Sequence, residues 1–451
     1  MQVQYITNAC FLFTLSDGLT LLSDPWLSDG IYHGVIFNYP PIPPELKSRY
    51  LALRPDFIYI SHLHSDHFDA VTLAHFDKLT PILIGKFSTP AMFQAVKSLG
   101  FQNIEELEFG KTKQLHQHQI RIYSQFSGSS DDVTNESGID MDTSLFIQDT
   151  NGQKCFFAVD NPMQERHAEM LQSEHGPLDL AILPYTGASI YPFCYKNYSD
   201  EEKRQRMLKL RQAKLDKFVE LAKAIGAFRV IPAAGSFVHG GKGASYASFQ
   251  PQPTPSQIAS HWKEQGMDMR RLCLLSTGDS VNLGDFSVSM ESLTSGPDRD
   301  YTEEDRSRYA QSLSEFPCDL DFIRWPDKLK IPWRSLIARA RANMWNYQQK
   351  SACKPAVDIY LVVASSLQMP LPHGADIRIK IAMDEEQIIL MGSDLNDESR
   401  PYVEHFLSSQ ILIALLLGTT YWNVAEYHMQ LYRNPDKFDP TVRSLLAFFK
   451  L

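Results

Sequence analysis

The chain has 451 residues, of which 43% are hydrophobic and 21% are charged, proportions that are ordinary for a soluble globular protein. Its formal net charge of −10 argues against a general nucleic-acid-binding protein, because phosphate neutralisation needs clustered Lys and Arg. The six cysteines are scattered without a C-x-x-C pair, which favours reduced thiols. The longest suspicious apolar run, 411–418, is too short to span a bilayer. We therefore expect a cytoplasmic protein that binds neither nucleic acid nor membrane.

Short apolar runs alternate with turn signals and helical stretches through the first part of the chain. CFLFTL, DFIYIS, HQIRIYS, KCFFAVD, LDLAILP and FRVIPAA are rich in β-branched or aromatic residues and are predicted strands. The segment after Ser199 begins with acidic residues and runs to Gly226, which predicts one long helix. Many strands with helices between them indicate a layered α/β domain, which we place at 1–289.

The character of the sequence changes past about residue 307. A helical stretch, RSLIARARANMWNYQQK, precedes three predicted strands, VDIYLVVAS, DIRIKIAMD and QIILMGSD. The tail from Pro401 to Leu451 is predicted to be rich in helix. We therefore predict a smaller C-terminal α+β domain over 307–451 that packs on the first domain.

The stretch YISHLHSDHFD places four potential metal ligands within six positions: His62, His64, Asp66 and His67. The preceding DFIYIS predicts a buried strand, so the ligands lie on the loop at its carboxyl end, where α/β sheets commonly place their sites. The two histidines that are separated by one residue can reach one cation, and the following Asp–His pair can turn toward a second. Imidazole and carboxylate suit Zn²⁺ or Fe, so we predict one or two such ions per chain.

The same ligands permit two kinds of chemistry. A dinuclear site can generate a hydroxide and polarise an electrophile, with Asp66 as the catalytic residue that orients the hydroxide. An iron site with open coordination positions can instead bind O₂. The structural alternative is a surface loop that is rich in histidine and holds no metal.

The pattern H-x-H-x-D-H resembles the signature of the metallo-β-lactamase superfamily, which implies an αββα sandwich. SDPWLS, at 23–28, resembles an element of the superfamily branch with phosphodiesterase and lactonase members. Asp160, at the end of KCFFAVD, resembles the aspartate that bridges the metals. The resemblance also implies a third histidine after HQIRIYS, where none stands. Four aspartates near that position could supply a carboxylate instead: Asp131, Asp132, Asp140 and Asp142. The last expected histidine is missing from FRVIPAAG, and His239 a few residues later could replace it.

Segments outside the signature narrow the resemblance. ISHLHSDHF, MDTSLFI, AVDNP, IPAAGSFV and LYRNPDKFDP occur in an order that is similar to CMP-N-acetylneuraminate hydroxylase, a non-heme iron monooxygenase family. This resemblance implies an iron oxygenase acting on a polar, anionic or nucleotide-linked substrate. That family carries a Rieske domain with C-x-H and C-x-x-H pairs, whereas no cysteine here stands two or three residues before a histidine. An oxygenase of this kind would take electrons from a separate electron-transfer protein or from the substrate.

Two alternatives to the oxygenase stay open from the sequence. One is a zinc- or iron-dependent hydrolase of a phosphodiester, lactone or amide, and the other is a degenerate fold kept as a metal-binding or scaffold protein. For either enzyme, the aromatic, glycine-bearing loop TGASIYPFCYKNY after the strand LDLAILP could wall a substrate pocket. We predict four substrate-binding residues there: Tyr185, Ser189, Tyr191 and Lys196. The structural alternative is that this segment is a loop without a binding role.

Overall fold

The computed structural model describes most of the chain. The described residues are 1–126, 142–187, 189–326, 329–351, 355–366, 369, 371, 377–381, 389–391 and 400–451. Three of the four aspartates proposed to replace the missing histidine, Asp131, Asp132 and Asp140, lie outside these residues. The fourth, Asp142, lies within them.

The first sheet combines the N-terminal strands with a hairpin from near residue 285. Numbered in chain order, its strands are β1 (Gln2–Thr7), β2 (Cys10–Thr14), β3 (Thr20–Ser23), β5 (Phe57–Tyr59), β6 (Ile82–Gly85), β7 (Ile104–Leu107), β15 (Ser280–Asn282) and β16 (Val288–Ser289). Their order across the sheet is β16-β15-β1-β2-β3-β5-β6-β7. Strands β3, β5, β6 and β7 are parallel, so their carboxyl ends and the loops that follow them meet at one edge.

The second sheet packs face to face on the first. Its strands are β8 (Thr112–Leu115), β9 (His118–Tyr123), β10 (Ser144–Gln148), β11 (Lys154–Phe157), β12 (Leu180–Pro184) and β13 (Arg229–Ala233), in the order β13-β12-β11-β10-β9-β8. Rings interdigitate between the sheets: Phe157 lies 5.3 Å from Phe11 and 6.3 Å from Phe13, measured between ring centroids. Central strands such as β6 and β12 are nearly continuous apolar runs, as expected when both faces of a sheet are covered.

Helices cover the two outer faces of this sandwich. The helices Pro44–Leu51, Ala70–Leu73 and Ala91–Ser98 pack on the first sheet. The helices Glu165–His175, Asp200–Ile225 and Pro255–Glu264 pack on the second. The resulting αββα arrangement confirms the predicted fold class.

The long predicted helix is confirmed with its predicted ends. Ser199 caps the amino end of Asp200–Ile225 by accepting a hydrogen bond from the backbone of Glu202, whose side chain returns to the Ser199 backbone. Gly226 ends the helix with φ 61°, a left-handed conformation that glycine adopts without strain.

A small ribbon and one further helix lie beside the sandwich. Strands β4 (Ile36–Asn38) and β14 (Phe237–His239) pair antiparallel. The helix Glu303–Ser312 packs Ala310 against both strands of this ribbon.

A third sheet forms the C-terminal domain. Its strands are β17 (Asp358–Ala364), β18 (Ile377–Ile381), β19 (Ile389–Met391), β20 (Tyr402–Ser408) and β21 (Gln430–Asn434), in the order β19-β18-β17-β20-β21. The helices Trp333–Ser351, Ser409–Leu416, Trp422–Ala425 and Pro440–Leu446 complete it. Its apolar core is separate from that of the sandwich, as expected for an α+β domain.

The tail from Pro401 differs from its prediction, because it contributes two strands as well as helices. Buried and half-buried residues alternate along β20, and this period of two is typical of a strand with one covered face. The prediction gave too much weight to the apolar helix that follows and missed the alternation.

Two further features concern the helices and the thiols. Among the described residues, no helix is both long enough and apolar enough to cross a bilayer. Five cysteines are described, and all five are buried free thiols: Cys10, Cys155, Cys194, Cys273 and Cys318.

Candidate metal centre

The histidine-rich loop leaves the carboxyl end of β5, as predicted. The backbone N–H groups of His67 and Phe68 both donate to the carbonyl oxygen of His64, at 2.9 and 2.7 Å, and close a tight turn. Asp69 ends the loop by capping the helix Ala70–Leu73, where its carboxylate accepts from the backbone N–H of Val71 at 3.1 Å. The loop is therefore fixed at both ends, and its imidazoles turn inward together.

The first donor group contains two histidines of the loop and one aspartate from the second sheet. Nε2 of His62 lies 2.9 Å from Nδ1 of His64 and 3.6 Å from Oδ1 of Asp142. The ligand atoms of these three residues all lie within 4.8 Å of one another. Asp142, which precedes β10, thus occupies the neighbourhood where the superfamily resemblance implies a third histidine.

The second donor group lies beside the first and is richer in carboxylate. Nε2 of His67 lies 3.3 Å from Oδ2 of Asp160 and 3.4 Å from Oδ2 of Asp66. Asp160 follows β11 directly after Val159, whose positive φ of 57° turns the chain toward the loop. The ligand atoms of His62, His67 and Asp160 also lie within 4.8 Å of one another, so the ring of His62 lies between the two groups.

A buried aspartate fixes the orientation of His67. Asp24 accepts hydrogen bonds from the backbone N–H and the hydroxyl of Ser61, at 2.8 and 2.7 Å. Its Oδ2 also lies 2.8 Å from Nδ1 of His67. A carboxylate on one imidazole nitrogen directs the other nitrogen toward a metal. Asp24 lies in the SDPWLS element, yet its orienting role was not predicted.

Two polar side chains from distant segments hold Asp66. Asn8 donates from Nδ2 to Oδ2 of Asp66 at 3.3 Å, and the hydroxyl of Tyr32 donates to Oδ1 at 3.1 Å. Both contacts were missed, because neither residue stands in a motif or near the loop in sequence. The strand break after β1 and a turn before β4 bring them to the site.

The charges of the site are arranged for a cation. Burial works against a charge on His67, but Asp66, Asp160 and Asp24 outweigh it and raise its pKa well above the usual value. Burial, together with the neighbouring imidazoles, lowers the pKa of His62 well below the usual value. Burial likewise lowers the pKa of His64. The carboxylates therefore stabilise one positive charge on His67, while the rings of His62 and His64 stay neutral and able to bind a metal.

The residues present fit one or two metal ions. Nε2 of His67 is buried and makes no well-aligned hydrogen bond within the described part of the chain, although two carboxylates face it. A buried nitrogen that faces two carboxylates without a hydrogen bond is compatible with a metal ligand. By distance, His62, His64 and Asp142 would hold one ion, and Asp66, His67 and Asp160 a second. These donors suit Zn²⁺ or Fe.

His239 belongs to neither donor group among the described residues. Its ring is buried at the end of β14, with centroid distances of 4.6 Å to Phe193 and 5.5 Å to Tyr427. Neither ring nitrogen has a hydrogen-bond partner within the described structure. Burial, with a smaller effect of Arg306, lowers its pKa to about 3. The role of His239 as a metal ligand stays a prediction.

The four predicted substrate-binding residues lie outside both donor groups. Tyr185 is buried beneath the loop. The hydroxyl of Ser189 accepts from the backbone N–H of Tyr191 at 3.1 Å, and the Tyr191 hydroxyl accepts from Arg206 at 2.8 Å. The ammonium of Lys196 lies 3.9 Å from a ring centroid in β20. Their role in substrate binding stays a prediction.

Fold and site together define the class of protein. Residues 2–192 match the family model described as the beta-lactamase superfamily domain, and this range contains both donor groups. The N-terminal part of the chain is therefore similar in sequence and in fold to the beta-lactamase superfamily domain.

More particular similarity is found to larger proteins. A protein of Mycobacterium tuberculosis strain H37Rv that is named as a Rieske 2Fe-2S iron-sulfur protein is 29% identical over 251 residues, which cover 52% of this chain and 44% of that protein. Cytidine monophosphate-N-acetylneuraminic acid hydroxylase of Mus musculus is 27% identical over 251 residues, covering 53% and 39% of the two chains. The chain thus spans less than half the length of these relatives. Among solved structures, isothiocyanate hydrolase from Delia radicum gut bacteria aligns with a TM-score of 0.46 and 16% identity, over 62% of this chain and 98% of its own.

Proposed function

We propose that this chain is a metal-dependent oxygenase that hydroxylates a polar, nucleotide-linked substrate with iron. The observation that carries the proposal is the composition of the first donor group, two imidazoles and one carboxylate from His62, His64 and Asp142. Two histidines with one carboxylate, and positions left open, are typical of non-heme iron(II) oxygenases. The similarity to a hydroxylase of cytidine monophosphate-N-acetylneuraminic acid supports the same reaction class and substrate class.

The residues of this centre have different roles in metal binding, orientation and substrate access. Iron held by His₂-carboxylate ligands supplies the activation of O₂ when it is bound. His62, His64 and Asp142 would hold it, and Asp66, His67 and Asp160 would hold a second ion. Asp24 keeps the ring of His67 turned toward that second group. Asp160 and Asp142, with 29% and 17% of their side chains exposed, are the donors through which a substrate approaches.

Hydroxylation by this route needs an external source of electrons. One oxygen atom of O₂ enters a C–H bond, and the other leaves as water with two electrons and two protons. The sequence holds no C-x-H or C-x-x-H pair for a Rieske cluster. We propose an electron-transfer protein with an iron-sulfur centre as the partner, because a similar mycobacterial protein is named as a Rieske 2Fe-2S iron-sulfur protein. The domain boundaries and the cytoplasmic location stay predictions from the sequence.

Metal analysis combined with turnover tests this proposal. Protein purified without added metal is expected to hold iron, and to consume O₂ when cytidine monophosphate-N-acetylneuraminate and a reduced ferredoxin are supplied. His62→Ala should abolish both, since its ring lies between the two donor groups. His75→Ala is the matched control, because His75 is an exposed histidine a few residues further along the chain.

Two outcomes would overturn the oxygenase. Bound zinc with hydrolysis of a generic phosphodiester or lactone would establish the hydrolase instead, since the same donors can also serve zinc. Absence of any metal, with no effect of His62→Ala, would favour the scaffold.

A further inference from the structure

A short segment of the C-terminal domain touches the metal centre. This docking segment, residues 422–428, comprises the helix Trp422–Ala425 and the turn after it. Asn423 brings its amide Nδ2 to 3.0 Å from Nε2 of His64, across 359 positions of sequence. We propose that the docking segment is part of the metal centre and that Asn423 is a positioning residue for His64.

The two nitrogens of His64 have different tasks in this arrangement. Nδ1 faces the first donor group, because it lies 2.9 Å from Nε2 of His62. A neutral imidazole that gives Nδ1 to a cation carries its proton on Nε2. That proton needs an acceptor, and the side-chain amide of Asn423 lies at hydrogen-bond distance, with Nδ2 as the atom placed toward Nε2. The amide nitrogen can only donate, whereas the amide oxygen, which exchanges places with it on rotation about the last side-chain bond, accepts. The proposal therefore assigns the rotated amide, in which Oδ1 accepts from the Nε2–H of His64. Asn423 thereby selects the tautomer in which Nδ1 is free for the metal.

The same segment also supports Tyr32, which donates to Asp66 in the second donor group. Tyr32 and the following His33 have left-handed conformations, with φ of 54° and 58°. The left-handed region is unfavourable for a residue that carries a Cβ. A turn of this kind persists only where its surroundings over-determine it.

Contacts from the C-terminal domain supply that support. The ring of Tyr427 packs edge-on against Tyr32, with centroids 5.3 Å apart. Nε2 of His428 lies 3.0 Å from the carbonyl oxygen of Tyr32, and Nε2 of His33 lies 2.8 Å from the hydroxyl of Thr420. The docking segment therefore reaches both donor groups, one through Asn423 and one through Tyr32.

This inference rests on metal binding, the first half of the proposed function, and does not depend on O₂ chemistry. The probe is Zn²⁺ alone, titrated into metal-free full-length protein against a chromophoric chelator. Asn423→Ala is expected to lower the affinity for one of the ions about 10- to 100-fold, the usual effect of removing the hydrogen-bond partner of a ligating imidazole. Asn423→Asp retains an acceptor and should stay within a few-fold of the original affinity.

The matched control is Asn343→Ala, an exposed asparagine of the same domain that donates to the carbonyl oxygen of Lys450. It should leave Zn²⁺ affinity unchanged, and thermal unfolding of each variant checks that the fold is retained. Equal affinity of Asn423→Ala and the original protein would overturn the inference. So would equal weakening by the Ala and Asp variants, which would indicate packing instead of a hydrogen bond. If the original protein binds no ion, the proposed function fails, and this inference fails with it.

Discussion

The buried ring of His239 makes a quantitative prediction about stability and pH. Its pKa is about 3 in the folded protein because burial opposes the charge, against about 6.5 in the unfolded chain. The pKa is lowered on folding, so below pH 6.5 the unfolded chain takes up a proton that the folded state refuses. Stability is therefore complete above pH 6.5 and falls as the pH falls toward 3. The loss through this residue reaches about 2 kcal/mol at pH 5.

His239→Phe removes this titration and keeps an aromatic ring among Phe193 and Tyr427. Urea unfolding of metal-free protein at pH 8 and pH 5 gives the free energy of unfolding under each condition. The decrease between the two pH values should be about 2 kcal/mol smaller in the variant than in the original protein. Other titrating groups are common to both proteins and cancel in the comparison.

The exposed His75 provides the control, and His75→Phe should leave the decrease unchanged. An equal decrease in His239→Phe and the original protein would refute the reasoning, because the ring would then not be held neutral by burial. Counting bound metal in the same variant tests the sequence prediction that His239 is a ligand. The aromatic packing of the ring predicts an unchanged count, and loss of an ion would support the ligand role.

Three further predictions concern the metal centre and its support. Asp142→Ala should remove the ion of the first donor group and leave the second, measured as metal per chain by elemental analysis; an unchanged count would exclude Asp142 as a ligand. Metal binding at pH 7 should release about one proton, because the neighbouring carboxylates outweigh burial, raise the pKa of His67 and keep its ring charged at that pH. Metal affinity should therefore rise with pH until that pKa is passed. Calorimetry in buffers of different ionisation heat measures the proton release, and no release would mean that the ring is neutral. Gly34→Ala places a Cβ 2.3 Å from the carbonyl oxygen of Pro317 at a φ of 86°, so it should lower the free energy of unfolding by more than the roughly 1–3 kcal/mol of backbone strain alone. Gly18→Ala, at a φ of 91° in open space, should lose only the strain. Equal losses of stability in thermal unfolding would contradict the close contact.

The fold and half of the site follow from local patterns in the sequence. His62, His64, Asp66 and His67 lie on one loop after a buried strand, so their spacing alone brings them together. Asp160 was also predicted, because its place at the end of KCFFAVD resembles that of the bridging aspartate of the superfamily. The positions of these residues depend mainly on the order of the strands in the sheets.

The remaining contacts depend on how distant segments dock. Asp142 was one of four equivalent aspartates, since a loop's sequence does not specify which carboxylate turns inward. Asn8, Tyr32 and Asn423 carry no motif at all, and each approaches the site from a separate element. Asp24 lies within the SDPWLS element, but a sequence motif does not specify which side chain its carboxylate contacts. Packing between elements, and between domains, decides the positions of all five residues.

The 359 positions between His64 and Asn423 have a consequence for synthesis of the protein. The loop with the histidines can fold early, because domains form from the amino end as the chain emerges. At about 5–20 residues per second, Asn423 follows roughly 20 to 70 seconds later. During that interval the nascent site has its histidines but not the amide of Asn423, to which we assign the selection of the His64 tautomer. We therefore expect the growing polypeptide to pass through a stage of weak metal affinity, with full loading only after the C-terminal domain has left the ribosome.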